Sequence, residues 1–495
     1  MYIGVDCGTQ STKVVVVDGE QGRILGEANR PHRLIEGAGG RREQDPGEWV
    51  AALIHGVKAA MAQAGIDGQA IRALAISGQQ HGMVALDRHG NPVYPAKLWC
   101  DTETVAWNSR LIEQLGGPQG CLDRLGLILQ TGYTASKLAW LREVHPDAYA
   151  RIATLLLPHD YLNFWLTGER VAEAGDASGT GYFDTRARTW RRDVWGVLAP
   201  ELDPDHVLPR LIDSHAAVGT LRPDAAEALG LPARVLVASG GGDNMLGAIG
   251  TGNIRAGRVT FSLGTSGTIC AHSDTPVVPE NAMLANFCSS HGSWLPLICT
   301  MNVTSATTRI RELFGLDLIT FGERIAQAPI GADGVSVLPF FNGERVPMLP
   351  EATASFEGLS SVNTTQANLC RAVVEGATLG LRYGLEQCGP LAASVDEIRL
   401  IGGGAKSPVW RQMVADVTAS SVVCPVVTDA AALGAAIQAA WCHQGGELEP
   451  LCQAMVTLDE TSRAEPDSKG VAAYREVYAR YRGHLNRQHG VATAE

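Results

Sequence analysis

Apolar residues flank a short polar tip at two places in this chain. Residues 2–17 read Tyr2-Ile3-Gly4-Val5-Asp6-Cys7, then Gly8-Thr9-Gln10-Ser11, then Thr12-Lys13 and four valines. Residues 259–269 repeat the plan as Val259-Thr260-Phe261-Ser262-Leu263, Gly264-Thr265-Ser266-Gly267 and Thr268-Ile269. Strand-forming residues on both sides of a Gly-Thr turn predict a β-hairpin in each place. Each tip would present backbone N–H groups and hydroxyls to an anion, its glycine supplying the left-handed backbone of a tight turn. Two such tips suit the phosphate chain of a nucleotide.

The same patterning extends along the chain. Ala73–Ile76, Val235–Ala238 and Ile398–Ile401 are short apolar runs beside glycines and predict strands. Pro46–Gln63 and Pro408–Ala419 have helical spacing with proline at the start, and Met245–Ile249 is a further helical run. This alternation predicts an α/β class. The two tip glycines, Gly8 and Gly264, are 264 − 8 = 256 positions apart in 495 residues, which suggests two domains of similar build. The densest glycine cluster, Gly240-Gly241-Gly242 with Gly247, Gly250 and Gly252, precedes the second hairpin. It marks a division into residues 1–246 and 247–495, with a hinge there.

Composition narrows the class of partner. A formal charge of −12 without any basic run argues against a nucleic-acid surface. No stretch has the ~18 apolar residues of a membrane span, and the first residues lead into a strand containing Asp6 instead of a signal peptide's apolar core. The eleven cysteines are scattered, with no Cys-x-x-Cys pair, which favours a reduced cytoplasmic setting over disulfides or zinc.

Candidate chemistry concentrates at strand ends. Asp6 beside the first tip could hold a hydrated Mg²⁺ against phosphate oxygens. Asp243, in Ser239-Gly240-Gly241-Gly242-Asp243-Asn244, falls between a predicted strand and a helix, where α/β proteins place ligands. It reads either as a helix cap or as a general base taking a hydroxyl proton during phosphoryl transfer. Gln80 and His81, in Ser77-Gly78-Gln79-Gln80-His81-Gly82, offer neutral donors and acceptors for sugar hydroxyls, or a purely structural histidine. Gly402-Gly403-Gly404-Ala405-Lys406-Ser407 is a strand-to-helix turn open enough for a purine or ribose, or a tight turn without ligand. Ala405 interrupts it relative to a P-loop.

With these blocks in view, the chain resembles the FGGY carbohydrate kinases from Met1 to about Tyr481. Tyr2-Ile3-Gly4-Val5-Asp6 with Gly8-Thr9 is similar to the family's first phosphate motif, Ser262–Gly267 to its second, and Gly402–Ala405 to its adenosine motif. Thr134-Ala135-Ser136-Lys137-Leu138-Ala139-Trp140-Leu141 resembles one signature; Gly358-Leu359 with Asn368–Glu375 resembles the other. Glu43–Pro46, Gly78–Gly82, Leu157–Leu162, Gly241–Asn244 and Gly343–Pro347 are similar to the members that phosphorylate D-xylulose. Arg41-Arg42, Gln80 and Cys100 differ from those members, which usually carry Trp-Ser, often Met, and Asn there.

The resemblance implies two ribonuclease H-like domains of actin/hexokinase type with a cleft between them. The sugar and the base would lie on the 1–246 side and the nucleotide on the 247–495 side. It implies Asp243 as catalytic base, and Gln80, His81, Asp243 and Asn244 as sugar contacts. Nucleotide contacts would come from Gly8, Thr9, Gln10, Ser11, Lys13, Gly264, Thr265, Ser266, Gly403, Gly404 and Ala405, with Asp6 serving Mg²⁺. The implied reaction is ATP-dependent phosphorylation of a ketopentose hydroxyl, D-xylulose to its 5-phosphate. L-Ribulose, glycerol or gluconate are alternative acceptors, and an actin-like nucleotide-dependent binding protein is the reading from another class. The implied partners are a small sugar and ATP, with no nucleic acid and no membrane; assembly as a homodimer is left open.

Overall fold

The structure, a computed structural model, describes residues 1–492. Its backbone contacts form two compact units. The first comprises Met1–Ile254, Ser273–Leu295 and Asp429–Thr457; the second comprises Arg255–His272, Pro296–Thr428 and Leu458 onward. The sequence division at 246/247 treats the chain as two consecutive halves, whereas these units interleave. The physical reason is a helix, Ala430–Gln444, that returns late in the chain to cover the first sheet.

In the first unit the predicted hairpin is β1 (Tyr2–Cys7) and β2 (Ser11–Val17), extended by antiparallel β3 (Ile24–Pro31). Strand β4 (Ala73–Gly78) lies parallel to β1, and β5 (Ala217–Thr220) and β6 (Leu236–Ala238) complete the order β5-β6-β4-β1-β2-β3. The second unit repeats this plan with β7 (Arg258–Leu263), β8 (Gly267–Ala271), β9 (Trp294–Thr300), β10 (Glu397–Ile401), β11 (Ser421–Pro425) and β12 (Leu458–Ala464). Their order is β9-β8-β7-β10-β11-β12. Three antiparallel strands followed by parallel partners of the first is the ribonuclease H-like arrangement, here twice.

Local signals account for the element ends. Helix Pro46–Ala64 begins with Pro46 at its first position; the Asp45 carboxylate accepts the Gly47 N–H, and left-handed Gly65 stops it. Helix Pro408–Thr418 also starts at its proline and ends on left-handed Ala419.

The first unit's core depends on backbone-to-backbone approach. A Cβ on Gly4 of β1 would lie 1.9 Å from the Ala432 carbonyl oxygen. Helix Asp243–Gly250 crosses Ala430–Gln444 at two reciprocal glycines: a Cβ on Gly434 would come within 1.8 Å of the Leu246 oxygen, and one on Gly250 within 1.8 Å of the Ala430 oxygen. This closeness accounts for the alanines and the glycine that make up most of the buried positions of Ala430–Gln444.

Gly434→Ala is therefore expected to destabilise the protein by about 1–3 kcal/mol or more through overpacking. Gly322→Ala, in helix Leu318–Gln327 with nothing near its Cβ position, should be stabilising by about 0.5–1 kcal/mol. Shifts of the denaturant midpoint in opposite directions check both.

Candidate active site

At the end of β1, Asp6 accepts a hydrogen bond from the Ser77 hydroxyl at 2.9 Å. Burial is the main influence on its carboxyl and raises it to about 6; Ser77 and Lys13 pull the other way, and Asp429 adds to the rise. Lys13 is ion-paired with Asp429, just ahead of helix Ala430–Gln444.

The first tip is more constrained than its sequence suggests. Gly8 donates its N–H to the Ser11 carbonyl at 3.0 Å, so that group is used within the hairpin. Neither Gly8 nor Gly264 adopts a positive φ, which corrects the expectation of left-handed glycines at the tips. Both turns close over three residues without one. At Gly8 a Cβ would meet only the Ser11 oxygen, at 3.5 Å. Among the described residues the amides of Thr9 and Gln10 have no protein acceptor, nor have those of Thr265 and Ser266. Thr9 is clamped on two sides. Its carbonyl accepts from Gln44 Nε2 at 2.7 Å, and its hydroxyl accepts from the Trp99 indole at 2.9 Å.

Gln80, Asn244 and Asp243 come together. Asn244 Nδ2 donates to Gln80 Oε1 at 2.8 Å and to Asp243 Oδ1 at 2.9 Å; the Asn244 backbone N–H donates to Asp243 Oδ1 at 2.7 Å. Asp243 is the first residue of its helix, and the capping position belongs to Gly242 without a side-chain cap, so the helix-cap alternative does not hold. Burial is the largest influence on the Asp243 carboxyl, followed by repulsion from Asp6 and Asp176; together they push it up to about 7. His81 has a positive φ of 63°, and its ring packs against Tyr133 and Phe287 at centroid distances of 4.6 and 5.6 Å.

Behind this group is a network that the sequence reading did not single out. Fully buried His159 contacts Asp176 through Nδ1 at 2.7 Å and Asp160 through Nε2 at 2.9 Å. Burial opposes its charge, but the two carboxylates prevail and hold its pKa well above the usual histidine value. Its backbone packs where a Cβ on Gly78 would fall, at 2.9 Å, and its ring lies 3.0 Å from the Cβ position of Gly240. Gln438 clamps the loop ahead of Asp243. It accepts the Gly240 N–H at 2.9 Å and donates to the Gly240 and Ser214 carbonyls, each at 3.0 Å. A lone amide in the run Ala435-Ala436-Ile437-Gln438-Ala439-Ala440 was the available signal for it. For Asp176 it was an acid between Gly175 and Gly179.

In the second unit Gly402 adopts φ 91°, and a Cβ there would lie 2.7 Å from the Leu263 carbonyl, so this turn rests on the base of the second tip. Gly404 is packed under Trp410, whereas Gly403 has open space beside it. Next to Gly402 and Ala405 is a cavity of about 420 Å³, also lined by Lys406, Arg411, Cys424 and Thr428. The tip residues Gly264 and Thr265 are held through their carbonyls by the N–H groups of Thr304, Val303 and Ser305.

Asp6 offers a carboxylate, the hard oxygen donor that suits a divalent cation. By contrast Glu43, Asp101 and Glu103, though grouped closely enough for a metal, surround the buried Lys97 ammonium at 3.1, 2.8 and 2.6 Å. Among the described residues no helix is long and apolar enough to cross a membrane.

Residues 1–250 match the N-terminal domain of the FGGY family of carbohydrate kinases, and residues 259–443 match its C-terminal domain. The chain belongs to this family, whose members are phosphotransferases that use ATP. Over 490 residues it is 51% identical to the xylulose kinase of Haemophilus influenzae, covering 98% of this chain and 99% of that one. The crystal structure of a xyloylose kinase from Brucella ovis superimposes with TM-score 0.92 at 28% identity, over 99% of this chain and all of that chain. The xylulose kinase from Bifidobacterium adolescentis does so with TM-score 0.84 at 33% identity, over 96% and 98%.

The raised carboxyl of Asp243 has a consequence for stability. A folded-state value near 7 against an ordinary 3.8 means the folded protein holds this proton more tightly. Its contribution is therefore present at low pH and is lost as pH rises toward and through 7. Asp243→Asn should raise the thermal midpoint by several degrees at pH 8, since each pK unit of a shift corresponds to about 1.4 kcal/mol. The gain should vanish near pH 4.

Proposed function

We propose that this chain transfers the γ-phosphoryl group of ATP to the C5 hydroxyl of D-xylulose, with Asp243 as general base. The observation that carries the role of Asp243 is the hydrogen-bonded run Gln80–Asn244–Asp243 ending on a carboxyl held near 7. A base with that proton affinity is half ionised at neutral pH and able to take a hydroxyl proton. The choice of D-xylulose is supported by the 51% identical xylulose kinase.

In this reading Gln80, His81 and Asn244 hold the sugar hydroxyls. The C5 oxygen forms its bond to the γ-phosphorus while the bond from that phosphorus to the ADP oxygen breaks, and the hydroxyl proton passes to Asp243. On the first unit the N–H groups of Thr9 and Gln10, in a tip shaped by Gly8 and Ser11, suit phosphate charge; on the second those of Thr265 and Ser266, in a tip shaped by Gly264, do so too. Lys13 reaches phosphate only by leaving Asp429. Gly403, Gly404 and Ala405 receive the adenosine. Asp6 would hold Mg²⁺, which when bound supplies positive charge to the phosphates. Residues of the first unit thus serve the sugar and the phosphates, and residues of the second serve the phosphates and the adenosine. A cytoplasmic setting agrees with eleven free thiols.

ADP formation with D-xylulose, L-ribulose, glycerol and gluconate tests the acceptor; D-xylulose should give the highest kcat/KM, and preference for another compound would reassign it. Asp243→Ala should lower kcat about 10²–10⁴-fold with ATP binding retained. Near-normal turnover would remove Asp243 from the role.

A further inference from the structure

His81 carries an energetic contradiction. Its backbone is held at φ 63°, a region that few non-glycine residues enter, three positions after the end of the strand Ala73–Gly78. Such strain persists only when the surroundings impose it. Here they do so through the His81 carbonyl, which accepts from Lys137 Nζ at 2.8 Å and from the Thr134 hydroxyl at 3.2 Å. Both donors come from the first turn of helix Thr134–Val144.

Lys137 is itself expensive to keep. It is fully buried, and among the described residues its ammonium is held by two carbonyls, those of His81 and Gly132, instead of by a carboxylate ion pair. Burial is the main influence on it and lowers it to about 7; Asp101 and Cys100 offset this in part. A buried cation solvated only by main-chain oxygens fixes those oxygens in place, because moving either one leaves charge unsolvated. The second oxygen matters as well. Gly132 lies at φ 102° with its Cβ position 2.2 Å from the Trp99 carbonyl oxygen, so this turn is wedged against the segment whose indole holds Thr9. It leads directly to Tyr133, whose ring meets that of His81. On the opposite side Gly179 leaves room for the imidazole, since a Cβ there would lie 2.1 Å from His81 Cε1.

We infer that Lys137, assisted by Thr134, is a positioning residue for the sugar: it locks the His81 main chain in the left-handed region and so aims the imidazole between Tyr133 and Phe287. The inference rests on the reading of His81 as a sugar contact. Lys137 reaches the acceptor only through His81 and Gly132, and its effect belongs to sugar affinity more than to nucleotide binding.

The test is steady-state kinetics on the full chain with whichever acceptor the wild type turns over best, using Lys137→Met, Thr134→Val and His81→Ala. Loss of hydrogen bonds from a charged donor predicts a rise in sugar KM of about tenfold or more for Lys137→Met, and roughly two- to threefold for the isosteric Thr134→Val. The KM for ATP should stay within about twofold in both. A purely structural role would instead lower kcat and disturb both KM values together, or leave the sugar KM unchanged in Thr134→Val; either result overturns the inference. If Lys137→Met does not fold, Thr134→Val alone decides. His81→Ala separates the two levels of argument. An unchanged sugar KM in that variant removes the reading of His81 itself. A large rise there, with no change in Thr134→Val and Lys137→Met, sinks only the role of Lys137.

Discussion

Burying Asp243 within range of two further carboxylates, Asp6 and Asp176, is the constraint on which the rest of the first unit depends. Burial alone would raise Asp243; repulsion from Asp6 and Asp176 raises it further. The fold sets positive charge beside the other two, with Lys13 acting on Asp6 and His159 lying against Asp176. His159, charged between Asp160 and Asp176, stabilises the Asp176 side, while Asp243 receives hydrogen bonds from Asn244. A reactive carboxylate kept at the edge of ionisation is unfavourable for stability and favourable for proton transfer.

Holding that arrangement requires a rigid frame, which glycine supplies by letting backbones meet. Gly78 and Gly240 make room for His159, and Gly4, Gly250 and Gly434 bring helix Ala430–Gln444 onto the sheet and onto the helix that begins with Asp243. That closeness places Gln438 within reach of Gly240, where one side-chain amide satisfies both backbone polar groups of a single residue. Positioning of Asp243 therefore depends on a residue 195 positions later in the chain (438 − 243). The inclusion of Asp429–Thr457 in the first unit agrees with this tie.

Much of the frame was legible in the sequence. Both hairpins, the strands at residues 73, 236 and 397 and the helices opening at Pro46 and Pro408 form where apolar spacing and proline placed them, because those signals are local. Gln80 and Asp243, read from strand-end position, form one hydrogen-bonded run with Asn244, which the family resemblance implied. What was not legible arises from contacts distant in sequence. The tip glycines were expected to be left-handed, yet the turns close without it, and the left-handed residue near the sugar side is His81, whose sequence carries no such mark. Asp176, His159, Lys137 and Gln438 acquire their significance only from what the fold packs beside them.

The central claim is that Asp243 titrates near neutrality because of where it is buried. Carbon-13 NMR of aspartate carboxyl groups in the nucleotide- and cation-free protein, with Asp243→Asn to assign the signal, measures this directly. The account predicts a resonance lost in the variant and titrating with a midpoint near 7 in the wild type. A midpoint near 4 would show that burial and the neighbouring carboxylates leave Asp243 an ordinary acid, and would contradict the account.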